Sequence, residues 1–383
     1  MIVDWVALIN PEDLHTLALT NSVLFGEAEK YRWNTLSIRQ NSTAKYFEGA
    51  SEVLFRVEGR PARVVNLRLT ACEAPPRTML TFNVLVDRFL KEARGLRMLH
   101  LCIPQQDEAT LRLFNDFKSF PFKLTEFAIY FYSQCGISDI LDFLVSQPTI
   151  ERLFFHFFFR TRATKPSPLP NGALPNLAAL SAPPYYIDDL ARGRPVKYLR
   201  FTMQSTPEST LQMLEATLQK SIQPLTAISL CGVGMEITFL LSHLLRLAPG
   251  LRFLGCELLQ DGAGSLPEDT QPLRAFTKLK CIRWRCLSSV SGRQEGLNPL
   301  YYAGPSLQAV QQEFLPPFAQ YGGLWRASGD QTEGWHFHVG EFISPPLSFL
   351  ETSLVRATSN LSESSFSCHS GLGSTRISVH LID

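Results

Sequence analysis

The feature of this sequence that most restricts its fold is a recurring triplet of apolar residues at positions 1, 4 and 6 of a short segment. It occurs at Val64/Leu67/Leu69, Leu96/Leu99/Leu101, Leu124/Phe127/Ile129, Ile150/Leu153/Phe155 and Leu177/Leu180/Ala182. It continues at Val196/Leu199/Phe201, Leu225/Ile228/Leu230, Leu251/Leu254/Cys256 and Leu279/Ile282/Trp284. One triplet carries no information, because in a chain that is 45% apolar it arises by chance about once in eleven positions. The spacing does carry information: successive starts lie 32, 28, 26, 27, 19, 29, 26 and 28 residues apart. A near-constant period in this range marks stacked repeats.

Two further features agree with this register. Gly95, Pro148, Pro175, Pro195, Pro224 and Pro249 each stand one or two residues ahead of a triplet, where they stop a helix and start an extended segment. Between triplets the pattern changes to helix, best at Ile237, Leu240, Leu241, Leu244 and Leu245, an i, i+3, i+4, i+7, i+8 stripe. Thr206-Pro207 supplies a cap and first-turn proline before Leu211, Leu214 and Leu218, and Ser138 or Asp139 can cap a helix bearing Ile140, Leu141, Phe143 and Leu144. A short strand and one helix cannot bury an apolar face alone, so such units stack with parallel strands on one side and helices on the other.

Over roughly residues 60 to 290 the chain therefore resembles the leucine-rich-repeat family, in spacing more than in detail. The Asn or Cys at position 9 of that family has a counterpart at Cys72, but Val233, Leu259 and Leu287 stand there elsewhere. The expected fold class is α/β: an irregular leucine-rich-repeat solenoid with parallel strands on the concave face and helices on the convex face. Arg160 to Asn176 and Gln260 to Gln271 have no stripe and read as mobile, protease-accessible loops. From Gly292 onward the period fades, although Trp335 and Phe337 can start a final strand.

Residues 1 to 40 do not follow the repeat. The runs Ile2-Val3-Asp4-Trp5-Val6, Asn10-Pro11-Glu12-Asp13-Leu14-His15-Thr16-Leu17-Ala18-Leu19 and Tyr31-Arg32-Trp33-Asn34-Thr35-Leu36-Ser37-Ile38 resemble the later part of an F-box. The combination is similar to fungal F-box/leucine-rich-repeat proteins. The family's Leu-Pro opening and first helix have no counterpart, since Met1 falls where that helix would end. The resemblance implies docking of a Skp-type adaptor of a cullin ubiquitin ligase, with Val6, Ile9, Pro11, Leu14, Leu17 and Leu19 as its contacts. The other reading of these residues is a cap on the first repeat. Three parts are thus expected: a partial F-box-like helical segment over 1–40, the solenoid over 41–290, and irregular repeats with a Ser-rich loop over 291–383.

In a repeat of this kind, positions 3, 5 and 7 alternate away from the core onto the concave face. They place Arg68, His100, Tyr130, Arg152, Phe154, His156, Tyr198, Arg200, Phe253, Arg283 and Arg285 there, an enrichment in Arg and aromatics like that of interface anchors. The same positions include Glu126, Ser181 and Ser229. The expected function is recognition of a client protein on this face, as a substrate receptor of a Skp-cullin-F-box type ligase; the alternatives are a scaffold of the same fold with no ubiquitin role and, remotely, an α/β hydrolase or metal enzyme. The aromatics have a second reading as residues packed beneath adjacent loops.

Composition agrees with this picture. With 36 basic and 35 acidic residues there is no global electrostatic reason to expect nucleic acid or an anionic membrane as partner. Eight Cys without a CxxC pair read as reduced thiols, and Met1 to Asn10 lacks the pattern of a signal peptide, so a cytosolic or nuclear protein is expected. His336 and His338 share one strand face but have no evident third metal ligand. Cys281 and Cys286 read as one buried and one exposed thiol. Gly232-Val233-Gly234 and Gly371-Leu372-Gly373 read as turns, Cys368-His369 lacks an orienting acid, and Asp188-Asp189 reads as a solvated helix start. No cofactor, metal site or catalytic residue is expected.

Overall fold

In a computed structural model of the chain, the described residues are 23, 34–39, 44–56, 58–70, 76–103, 120–131, 137–157, 169–202, 207–233, 237–258, 273, 275–286, 309–314, 323–327 and 335–339. At several element ends, and throughout the last three strands, the description is of the backbone alone. The chain divides into two compact units, residues 1–176 with 360–383, and residues 177–359.

In the first unit, strands β1 (Thr35–Arg39), β2 (Asn66–Thr70), β3 (Met98–Ile103), β4 (Glu126–Phe131) and β5 (Arg152–Phe157) pair in chain order, all parallel. The helices are α1 (Ala44–Phe55), α2 (Arg60–Arg63), α3 (Pro76–Glu92) and α4 (Ile137–Ser146). The register aligns Leu36/Ile38 with Leu67/Leu69, Leu99/Leu101, Phe127/Ile129 and Leu153/Phe155, so positions 4 and 6 of the apolar template form two continuous buried rows. The position-1 residues Val64, Leu96, Leu124 and Ile150 are wholly buried. Helices cover this side: Phe143 of α4 meets Phe127 edge-on at 5.1 Å. On α3 the stripe Phe82, Leu85, Val86, Phe89 and Leu90 is buried, and Phe82 meets Phe47 of α1 at 5.3 Å. Each such side chain contributes about 1.5–3 kcal/mol by leaving water.

Neighbouring repeats are also joined by side chains in the turns that precede each strand. The Gln147 Oε1 accepts from the Leu124 backbone N–H at 3.0 Å, and the Thr149 hydroxyl donates to the Leu124 carbonyl at 2.7 Å. Thr125 donates to the Arg97 carbonyl, and Asn176 to that of Pro148. Gly95 in such a turn lies against the previous repeat so closely that a Cβ there would overlap the Ala62 carbonyl oxygen. Of the loop expected over Arg160 to Asn176, the described part is anchored: Leu169 and Leu174 are buried, and Leu174 holds φ of 55°, a left-handed conformation costing of order 1 kcal/mol. The loop expected at Gln260 to Gln271 lies outside the described residues.

The second unit repeats the plan. Strands β6 (Ala179–Ala182), β7 (Tyr198–Thr202), β8 (Ala227–Val233), β9 (Phe253–Leu258), β10 (Cys281–Cys286) and β11 (Ala309–Phe314) are parallel neighbours in chain order. Its helices are α5 (Pro184–Ala191), α6 (Pro207–Lys220) and α7 (Ile237–Leu247). The rows Leu180, Leu199, Ile228, Leu254, Ile282 and Ala182, Phe201, Leu230, Cys256, Trp284 again follow the template. Helix α6 begins at Pro207 as expected, and α7 buries Leu240, Leu241 and Leu244. Helix α4 starts at Ile137, ahead of the expected capping residues.

Three readings of the sequence are corrected here. Strand β11 was not anticipated, because its position 6 is the polar Gln312. Trp335–Val339 is a strand, β13, but it pairs antiparallel with β12 (Gly323–Ala327), which pairs antiparallel with β11, so the parallel order ends at β11. Gly232 and Val233 are not a turn; they end β8 at a register irregularity. Among the described residues no helix is long and apolar enough to cross a membrane.

Candidate functional site

The strand face opposite the helices carries the residues singled out for recognition, because alternation sends positions 3, 5 and 7 there. In the first unit the register places Asn66, Met98, Glu126 and Arg152 in one row, and Arg68, His100, Ala128 and Phe154 in the next. Tyr130 and His156 are partners in the third. Adjacent strands lie about 4.8 Å apart, so residues one repeat apart in sequence become neighbours. Glu126 is the centre of the arrangement: it is fully buried, with His100 Nε2 at 2.6 Å from Oε1 and Arg152 Nε at 2.7 Å from Oε2. A carboxylate only accepts, so the imidazole Nε2 proton points at Oε1. The Arg152 approach is a close charge contact without the alignment of a hydrogen bond.

In the second unit Tyr198, Ala227, Phe253 and Cys281 form one row and Ser181, Arg200, Ser229, Gly255 and Arg283 the next; Arg285 is the register partner of Glu257. Arg200 is buried between the buried Ser181 and Ser229. Gly255 is closely packed: a Cβ there would lie 3.0 Å from the Ser229 hydroxyl oxygen and 3.4 Å from the Phe253 ring, so those side chains would have to yield by a few tenths of an ångström.

The face divides by exposure. His100, Tyr130, Phe154, Arg200 and Phe253 are at most 8% exposed and serve the interior. Every described side chain of β4, Glu126 to Tyr130, is at least half-hidden from solvent on both faces, as in sheets whose two sides are covered. Arg68, Arg152 and Tyr198 are half-buried and present the accessible polar and aromatic area. His156, Arg283 and Arg285 lie on β5 and β10 with side chains outside the described residues. Cys281 is buried and not disulfide-bonded; the side chains of Cys286, His336 and His338 lie outside the described residues. So do the adaptor candidates Val6, Ile9, Pro11, Leu14, Leu17 and Leu19. The role of Glu126 was not drawn from the sequence, although the signal was present: Glu126 and Arg152 occupy position 3 of successive repeats with opposite charges.

The perturbed titratable groups lie on the helical side. Asp188 and Asp189 are not a solvated helix start; they sit in the second half of α5, and Asp189 is buried. Burial raises the Asp188 carboxyl, but the hydrogen bond from Lys220 at 2.7 Å, the Lys220 charge and Arg192 outweigh it and hold it below the usual carboxylate range. Arg194 is buried at the end of α5, donating to the Asp189, Leu190 and Arg192 carbonyls at 2.7, 3.1 and 3.1 Å; burial pulls its guanidinium below its ordinary value against the pull of Asp189. On α6 and α7, Glu215 and Arg246 form a two-pronged pair at 3.1 Å, lowering the one and raising the other. These are helix-capping and helix-joining interactions.

Strand–helix alternation, parallel pairing in chain order and two buried template rows define a repeat protein of leucine-rich-repeat-like architecture. No protein-family model matches the chain, and no curated protein matches it. Among solved structures it is similar to the leucine-rich repeat-containing protein LegL7 from Legionella pneumophila, with a TM-score of 0.43 and 13% identity over 73% of this chain and 83% of that one. It is also similar to a protein from Bacteroides fragilis, with a TM-score of 0.38 and 10% identity over 74% and 76% of the two chains. The fold is read from the chain's own register.

Proposed function

We propose that the chain is a protein-recognition scaffold that holds a client on the strand face of its repeats and acts in the cytosol or nucleus as a substrate receptor of a Skp-cullin-F-box type ubiquitin ligase. The observation that carries the recognition reading is the ordered strand face of each unit, on which Arg68 and Arg152 in the first and Tyr198 in the second offer cationic and aromatic area on rigid elements. The ligase role rests on the resemblance of residues 1 to 38 to an F-box. In this reading Val6, Ile9, Pro11, Leu14, Leu17 and Leu19 dock the adaptor while the face holds the client.

Two experiments separate these levels. The full chain is mixed with a purified Skp-type adaptor, and co-elution that is lost on Leu14→Asp with Leu17→Asp supports the ligase role; no co-elution refutes it and leaves an interaction scaffold. Proximity labelling of the wild type and of Arg68→Glu with Tyr198→Ala tests the face. An unchanged partner set rejects client binding there. Arg200 is unsuited to charge reversal, because it is buried and the change would report on folding.

A further inference from the structure

The second unit has a charged edge that the strand face does not use. Position 2 of each repeat lies just ahead of its strand, and Lys197, Thr226, Arg252 and Lys280 form one row there, joined by main-chain bonds. Thr226 N–H donates to the Lys197 carbonyl at 2.9 Å, Arg252 N–H to that of Thr226 at 2.8 Å, and Lys280 N–H to that of Arg252 at 2.9 Å. Lys278 stands in the turn that leads into the last of these. Arg252, Lys278 and Lys280 are exposed and Lys197 half-buried. Among the residues of this unit whose side chains are described, the carboxylates are Asp188, Asp189 and Glu215, all on α5 and α6 and all engaged with Lys220, Arg192 or Arg246. None of them pairs with the four cations at the strand starts.

From this juxtaposition we infer that the strand-start edge of the second unit, Lys197, Arg252, Lys278 and Lys280, is a docking surface for an extended acidic polypeptide. The inference is independent of the client-binding face. With strands about 4.8 Å apart, Lys197 and Arg252 are separated by roughly 10 Å and Arg252 and Lys280 by roughly 5 Å. Side chains on one face of an extended peptide recur about every 6.8 Å, so two or three carboxylates of an Asp/Glu run reach the whole row. Lysine is a flexible point charge suited to carboxylates at unequal steps. Single-stranded nucleic acid fits less well, because it gains its affinity by stacking bases on exposed rings, and at this edge Phe253 and Phe276 are buried and Tyr198 is half-buried.

The test uses the full chain and a fluorescein-labelled deca-glutamate peptide, followed by anisotropy at about 0.05 M and about 0.3 M salt, with an oligo-thymidylate of equal charge in parallel. Saturable peptide binding that weakens with salt is expected. The variant Lys197→Gln/Arg252→Gln/Lys280→Gln weakens it about tenfold or more, since several exposed pairs each worth a few-fold are lost together. Lys197→Arg/Lys280→Arg retains it, and Arg88→Gln/Lys91→Gln, which removes two exposed cations of α3, leaves it unchanged. Absence of saturable binding, a triple variant within about twofold of wild type, or tighter binding of the oligonucleotide overturns the inference. Binding of the adaptor or of clients does not bear on it.

Discussion

The cluster around Glu126 yields an asymmetric prediction. At 2.7 Å, with an effective dielectric near 20, the Glu126–Arg152 attraction is about 6 kcal/mol before desolvation is subtracted. The two partners pay differently for losing it. Arg152 is 38% exposed, so its guanidinium turns to water if Glu126 is removed. Glu126 is fully buried, so without Arg152 its carboxylate loses the close guanidinium and keeps the contact with the His100 imidazole. Breaking a buried pair from the side that strands the buried charge costs about 3–5 kcal/mol. Arg152→Met is therefore expected to lose stability in that range. Glu126→Gln, which keeps shape and leaves an exposed cation, is expected to lose about half as much, and Glu126→Leu/Arg152→Met is expected to recover most of the loss. Urea unfolding followed by far-UV circular dichroism measures all three, provided that the slope is unchanged between variants. A loss below about 1 kcal/mol for Arg152→Met, or a larger loss for Glu126→Gln than for Arg152→Met, would refute the argument.

Two more outcomes follow from close contacts. Gly95→Ala is expected to cost about 1–3 kcal/mol in urea unfolding, and Ala62→Gly does not rescue it, because the obstacle is the carbonyl oxygen of the main chain; full stability in Gly95→Ala contradicts the close approach of these repeats. Asp188 has a folded-state value below its ordinary one, so its contribution is complete above the ordinary carboxylate value and is lost as pH falls through the lowered folded value. Lys220→Met should raise the Asp188 titration midpoint seen by carboxyl NMR and flatten this acid limb, whereas an unmoved midpoint excludes Lys220 as the main opposing influence.

How much of this was legible in the sequence depends on which row is considered. Positions 1, 4 and 6 were readable because one requirement, burial against the helices, acts on every repeat and leaves a periodic mark. Ile38 in β1 obeys the same rule, with Leu36 two residues earlier. Gln312 in β11 breaks it, so that strand was invisible to an apolar template. The outward face was readable as a set of positions and far less as a site. Phe154 and Arg68 occupy the same row, yet one is buried and the other half-open, a difference that strand alternation alone does not encode. Glu126 with Arg152 shows what a different search recovers: comparing equal positions of adjacent repeats for opposite charge identifies neighbours directly.

The polar turns before the strands give the array a direction in time. The links from Thr125, Gln147, Thr149, Asn176 and Thr226 each reach 23 to 29 residues back towards the N-terminus. A repeat emerging from the ribosome thus has backbone groups that stay unanswered until its successor has been synthesised. At about 5–20 residues per second that interval is on the order of one to five seconds. Each repeat is provisional for that time, and its completion is written in the codons of the next.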